Sequence, residues 1–237
     1  MAAEVEVLDD PARACSAILV GVAAGGGHIV LTGGSTPQTA YREFVDAVLS
    51  VGIDVSESTM WFGDERCVPP EDPVSNYGAA KASMFDALEE HGLPTIHRMK
   101  GELRPGPGAD DYESVLRSAG SPRFDLVLLG MGSDGHCASL FPDQASLSER
   151  SRSVVGVEEA GLEPFVPRIS MTLPRLANAR QVVFLVTGES KAAPVAAAFG
   201  PGARPDPHVP TSLLVRMAKD IKVLLDPAAA AGLGSGA

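Results

Sequence analysis

An α/β fold with a doubly wound, mostly parallel sheet and helices on both faces (Rossmann-like) is predicted by three observations. Apolar runs of strand length alternate along the chain with stretches of helical periodicity. Two of the runs, FDLVLLG and QVVFLVTG, are continuously apolar, as parallel strands covered on both faces require. The first run, HIVLT, is joined to the next helical stretch by the glycine loop GGSTP, the order strand, glycine loop, helix.

Taken in order, Pro11 to Val22 has helical spacing and ends at the cluster Gly25 to Gly27, before the strand HIVLT. PQTAYREFVDAVL, Pro37 to Leu49, is helical, with proline in the first turn, where an amide has no intrahelical partner. TMWFGDE reads as one short strand, and SNYGAAKASMFDAL as a helix beginning near Ser75. FDLVLLG carries an unbroken apolar run between Asp125 and Gly130, and QVVFLVTG repeats the pattern. SKAAPVAAAF is helical but should be bent or shortened by Pro194, and DIKVLLD is a last strand. The proline- and glycine-rich segments Arg104 to Glu113 and Gly200 to Pro210 read as loops. No internal repeat is present.

The 237 residues, 45% hydrophobic and 21% charged, can bury one core, so a single domain over 1–237 is expected, its tail AAAAGLGSGA frayed from about residue 228. A net charge of -11 argues against nucleic acid or an anionic membrane as partner. An anionic ligand must then be held by a few local cations and backbone amides. Cys15, Cys67 and Cys137 are too few and too scattered for a disulfide framework or a paired zinc motif, which fits a reducing cytoplasm. The N-terminus MAAEVEVLDD does not resemble a secretory leader, and no apolar run is long enough to span a bilayer. Nothing in the sequence specifies an oligomeric state.

In open parallel sheets ligands bind beyond the carboxyl ends of strands, so the loops after the strands are the ones to read. Gly33, Gly34 and Ser35, with Thr36, precede a helix, and small residues at a helix N-terminus form a phosphate cradle or an ordinary capped loop. Asp64, Glu65 and Arg66 follow the next strand. Such charges are commonly a solvated rim, but an arginine there can grip phosphate or carboxylate in bidentate fashion. The loop GMGSDGHCASLFP is the most informative. It sets Asp134 and His136 among Gly130, Gly132 and Gly135, too many glycines for a packed helix or strand. Histidine, which changes charge near neutral pH, suits a general base, and a neighbouring carboxylate can fix its tautomer. The same loop matches G-x-G-x-x-G, yet it lies in mid-chain without an acidic ribose partner at the right distance, which disfavours a dehydrogenase. Arg168 and Lys191 are further cations near strand ends. No two histidines have metal-ligand spacing, so neither metal nor cofactor is expected.

The blocks LTGGSTP, WFGDERCVPPEDPVSNYG, FDLVLLGMGSDGHCASLFP, RISMTLP and VTGESKA occur in an order and spacing that resembles the 6-phosphogluconolactonases, relatives of the glucosamine-6-phosphate deaminases, over His28 to Asp226. The resemblance implies hydrolysis of 6-phosphogluconolactone to 6-phosphogluconate in the oxidative pentose phosphate pathway. It implies His136 as the general base with Asp134 beside it, Ser35, Arg168 and Lys191 at phosphate-binding positions, and Arg66 facing the substrate. Cys137 stands where the family usually has threonine. Deaminases continue the glycine-aspartate-glycine-histidine core with an asparagine-glutamate-proline element, whereas Ser139, Leu140, Phe141 and Pro142 follow here in the lactonase form. Ser35 and Ser139 lack a nucleophile-elbow sequence, which disfavours a serine hydrolase. A deaminase or isomerase remains the first alternative, and a non-catalytic sugar-phosphate sensor the second. That sensor would need a basic helix-turn-helix, which is missing. His208 and its loop match no motif.

Overall fold

The computed structural model describes residues 3–234 of the chain. Its elements are β1 (Glu4–Val7), α1 (Pro11–Ala24), β2 (His28–Leu31), α2 (Ser35–Val51), β3 (Thr59–Phe62), β4 (Asp64–Arg66), α3 (Asn76–Ala80), a π-helical turn (Lys81–Phe85), α4 (Asp86–Leu88), β5 (Thr95–Ile96), α5 (Pro105–Ser118), β6 (Leu126–Leu129), β7 (Val154–Val157), β8 (Arg168–Met171), α6 (Leu173–Ala177), β9 (Gln181–Val186), α7 (Ala192–Phe199), α8 (Pro210–Met217), β10 (Ile221–Leu225) and α9 (Pro227–Ala230).

Seven strands form one sheet in the order β1-β10-β9-β6-β2-β3-β5, with every pairing parallel. This is the α/β architecture expected from the continuous apolar runs: Leu126, Val127, Leu128 and Leu129 are each at most 1% exposed, so β6 is covered on both faces. The chain runs from β2 outward through β3 to β5, then returns to β6 and winds the other way through β9 to β10. The winding therefore reverses between the neighbours β2 and β6. The loops leaving their carboxyl ends part there, which opens a crevice.

Helix α2 starts at this crevice. Pro37, Ala40, Tyr41, Phe44, Val45 and Val48 are buried at helical spacing, so one stripe of the helix faces the core. From that stripe the Tyr41 hydroxyl donates to the Thr32 carbonyl (2.7 Å) and accepts from the Thr32 amide (3.0 Å). Core packing thereby holds the first residue of the glycine loop.

Two expectations change. TMWFGDE is not one strand but two, β3 in the parallel sheet and β4 in a separate antiparallel sheet of order β4-β8-β7. Gly63 is the corner between them: its amide donates to Leu31 O (2.9 Å) and its carbonyl accepts from Met171 N (2.7 Å). Residues 105–113, expected as loop, begin α5. Pro105 is its first residue, where no amide is required, and a Cβ on Gly108 would collide with the Ile169 side chain, so this glycine permits close packing and does not break the helix. Of the two outcomes expected of Pro194, the helix is shortened: Pro194 falls in the first turn of α7, after a 3-10 turn at Glu189–Lys191.

The tail, expected to fray from about residue 228, includes the end of α9, and Leu233 is its last buried residue. The Asp226 side chain caps α9 by accepting from Ala229 N (2.7 Å), and Ala229 and Leu233 are buried. A Cβ on Gly232 would lie 2.6 Å from Ala192 O, so the small residues let the tail approach α7 closely. Residues 235–237 of that expectation lie outside the described residues.

Candidate active site

The crevice at the reversal is a cleft of about 220 Å³. Thr32, Gly33 and Gly34 reach it from the end of β2, Gly130, Gly132 and His136 from the end of β6, Asp64 and Arg66 from β4, Arg168 from β8, and Lys191 from the turn before α7. Of the residues singled out in the sequence, Asp134 contacts the cleft through His136, and Ser35 stays outside it. Ser35 is exposed at the first position of α2, so that loop presents its backbone and the helix N-terminus to the cleft.

The loop after β6 is a tight turn closed by Gly135 N to Gly132 O (3.0 Å) and Gly132 N to His136 O (2.9 Å). Within it Asp134 Oδ1 accepts from the His136 backbone amide (3.2 Å) and from the imidazole Nδ1 (2.6 Å). Since Nδ1 donates to a carboxylate, Nε2 is the nitrogen left to accept a proton. Burial works to raise the Asp134 pKa, but hydrogen bonding and charge from His136 outweigh it, and the carboxyl is held below its ordinary value. Gly132 is required by the pair: a Cβ there would strike both His136 Nδ1 and Asp134 Oδ1. Phe141 packs against the ring, with centroids 4.6 Å apart. No α-helix opens from this loop, because the next helical turn is a 3-10 turn at Ala145–Ser148, and the dinucleotide motif therefore lacks its helix.

Three cations share the cleft, and among the described residues none is within ion-pair distance of a carboxylate. Arg168 is only 3% exposed, and its guanidinium donates to two backbone carbonyls, Nε to Val166 O (2.9 Å) and Nη2 to Pro164 O (2.6 Å). Burial and then the neighbouring Arg66 push its pKa down. Arg66 Nη1 donates to Val74 O (2.5 Å), while its buried Nε has no partner. Lys191 is lowered by burial, an effect that Asp134 opposes. Keeping such groups charged and unneutralised in a recess is costly unless an anion completes it.

The reading of Asp64 and Glu65 as a possible solvated rim is corrected: they are 5% and 2% exposed. Glu65 accepts from the amides of Arg66 (2.7 Å), Asn76 (2.7 Å) and Tyr77 (2.8 Å) and from Ser75 Oγ (3.0 Å), anchoring the start of α3. Burial nevertheless leaves its pKa raised. Asp64 accepts from Ser139 Oγ (2.6 Å) and Asn76 Nδ2 (3.1 Å), joining β4, the start of α3 and the segment after β6. Asn76 was not anticipated. A Cβ on Gly33 would overlap its side-chain oxygen, so Gly33 is needed for this contact. Its one sequence signal is position, directly after the N-cap Ser75. Glu163 also lines the cleft, from a segment that no sequence pattern marked.

Cys137 is buried and its thiol is pushed up to about 12 by burial, so it packs as a neutral residue. His208 lies away from the cleft on the exposed surface and pairs through Nδ1 with Asp143 (2.8 Å). Among the described residues no helix is long and apolar enough to cross a membrane.

The sequence and the fold have known counterparts. A family model described as glucosamine-6-phosphate isomerases/6-phosphogluconolactonase matches residues 8–223. The chain belongs to this family. A 6-phosphogluconolactonase of Haemophilus influenzae is 39% identical over 169 residues, which cover 70% of each chain. One from Streptomyces coelicolor is 34% identical over 189 residues, covering 74% of this chain and 71% of the relative. Among solved structures, a 6-phosphogluconolactonase from Trypanosoma cruzi superposes with a TM-score of 0.83 at 27% identity, covering 99% of both chains. A monomeric glucosamine-6-phosphate deaminase superposes with a TM-score of 0.78 at 20% identity, covering 98% of this chain and 100% of its own, a likeness of fold alone. A 6-phosphogluconolactonase and a glucosamine-6-phosphate deaminase thus share one scaffold, and the chemistry must be argued from the cleft.

Proposed function

We propose that this protein hydrolyses 6-phospho-D-glucono-1,5-lactone to 6-phosphogluconate, in a reducing cytoplasm and within the oxidative pentose phosphate pathway, with His136 activating the attacking water. Its relatives at 34–39% identity make it a lactone hydrolase. The observation that carries the mechanism is the placing of an Asp134-oriented imidazole in the same small cleft as Arg66, Arg168 and Lys191.

A lactone is an activated ester and needs a positioned water, a base and donors for the developing oxyanion. Nε2 of His136 takes a proton from water as oxygen bonds to the ester carbonyl carbon. When the tetrahedral intermediate collapses, the same nitrogen returns the proton to the departing ring oxygen. Asp134 holds the tautomer and stabilises the imidazolium between those steps. Lys191, Arg168 and the amides at the start of α2 take the phosphate, and Arg66 faces the sugar acid. The cations need no metal to balance the substrate's charge.

In a pH-stat assay on freshly generated lactone, corrected for spontaneous hydrolysis, wild type should release acid, and His136→Ala should turn over about 100-fold or more slowly. A folded variant with near wild-type rate would overturn the mechanism. Release of ammonia from glucosamine-6-phosphate would instead identify a deaminase.

A further inference from the structure

We propose that Thr211, at the N-terminus of α8, is a positioning residue for the His136 base; this rests on the hydrolytic reading above. Thr211 is fully buried, 76 residues further along the chain than the Gly135 it touches. Its backbone amide donates to Gly135 O (3.0 Å), and its hydroxyl donates to the same oxygen (2.9 Å). The amide is one of those that the first turn of a helix leaves without an intrahelical partner. α8 has no side-chain cap, so the catalytic loop itself satisfies this helix end.

Gly135 O belongs to the peptide unit that carries the His136 amide. That unit is therefore held from both sides: Thr211 grips its carbonyl, and Asp134 Oδ1 accepts from its N–H (3.2 Å). A peptide plane rotates as a unit, so fixing the carbonyl fixes the direction of the N–H. Because one Asp134 oxygen serves both the amide and Nδ1 of His136, turning the plane moves the acceptor that orients the imidazole. The position is further confined because Gly135 has φ +83°, and a Cβ there would lie 2.8 Å from Val209 Cγ1. Val209 immediately precedes α8, so the same chain segment closes the space behind the loop and supplies the double hydrogen bond. The groups proposed to take the substrate phosphate lie on β8, before α7 and at the start of α2, and Thr211 makes no hydrogen bond to any of them.

This arrangement predicts a separation of rate from binding. Thr211→Val keeps the shape and the backbone bond but removes the hydroxyl, and should lower kcat roughly three- to tenfold. KM for the phosphorylated lactone and the Kd for 6-phosphogluconate, measured by calorimetry, should stay within about twofold of wild type. Thr211→Ser restores the donor and should recover most of kcat. If the valine variant does not fold, Thr211→Ala makes the same comparison. Unchanged kcat in a folded variant, equal losses in kcat and product affinity, or a serine variant as slow as valine would each overturn the proposal. His136→Ala is measured alongside: if that variant keeps its rate, the hydrolytic reading itself fails, whereas a slow His136→Ala with an unaffected Thr211→Val removes only the role of Thr211.

Discussion

Arg66 and Arg168 are directly opposed in the antiparallel pairing of β4 with β8, so two guanidinium groups of like charge flank the cleft side by side. Like charges in opposed positions destabilise a sheet, and here neither has a carboxylate within ion-pair distance among the described residues. In a chain of net charge -11 such a pair supports the proposal that the cleft takes an anion.

The pair should therefore make the fold respond to its ligand. Adding 6-phosphogluconate should raise the melting temperature of wild type, and Arg168→Gln should lose most of that increase. Charge-assisted contacts are worth roughly 1.5 to 3 kcal/mol each, so Arg168→Gln or Lys191→Ala should raise KM for the phosphorylated lactone about 10-fold or more. Assaying Lys191→Ala on unphosphorylated gluconolactone as well identifies what the lysine reads. Equal weakening of both substrates would remove Lys191 from the phosphate site.

Gly132 offers a test of the catalytic pair that leaves every polar group in place. The Cβ of Gly132→Ala would collide with His136 Nδ1 and Asp134 Oδ1 and force them apart. Turnover should fall by about 100-fold, comparable to losing a general base, with substrate binding less affected. A normal kcat in a folded alanine variant would show that the pair need not keep this geometry.

His208 has its pKa raised above the ordinary histidine value by its hydrogen bond to Asp143, with that charge and the Asp206 charge adding to the effect. Because the folded-state value is the higher one, any stability from the pair is fully present below the unfolded histidine pKa and is lost as pH rises through the folded value. An NMR titration should find His208 above about 6.5, and Asp143→Asn should bring it down. The variant should differ from wild type in melting temperature more at acidic than at alkaline pH. The opposite trend would mean that the pair does not form in solution.

How much of this was legible beforehand depends on distance along the chain. The strands β2, β6 and β9 were readable because a central parallel strand writes an unbroken apolar run into consecutive residues, and β10 because only Lys222 interrupts its run. Helix α5 was misread because Pro105, Gly106, Pro107 and Gly108 are loop formers by composition, and only packing against β8 makes Gly108 a helix residue. β5, with two residues, and β7, interrupted by Gly156, are too short or irregular to leave a periodic signal.

The site divides in the same way. Asp134 and His136 are two residues apart, and their glycine-rich setting announced itself without coordinates. Position near strand ends and the family resemblance suggested Arg66, Arg168 and Lys191, but the sequence held no statement that the two arginines would be opposed or all three left without a carboxylate. Asn76, Asp64 at the cleft and Thr211 behind Gly135 owe their places to contacts between residues up to 76 positions apart. Amino-acid order determined which groups were available and which segments were strands, because those are local preferences of a few consecutive residues. Only the tertiary structure decided which groups meet, because the reversal of winding between β2 and β6 and the corner at Gly63 bring separate segments to one cleft.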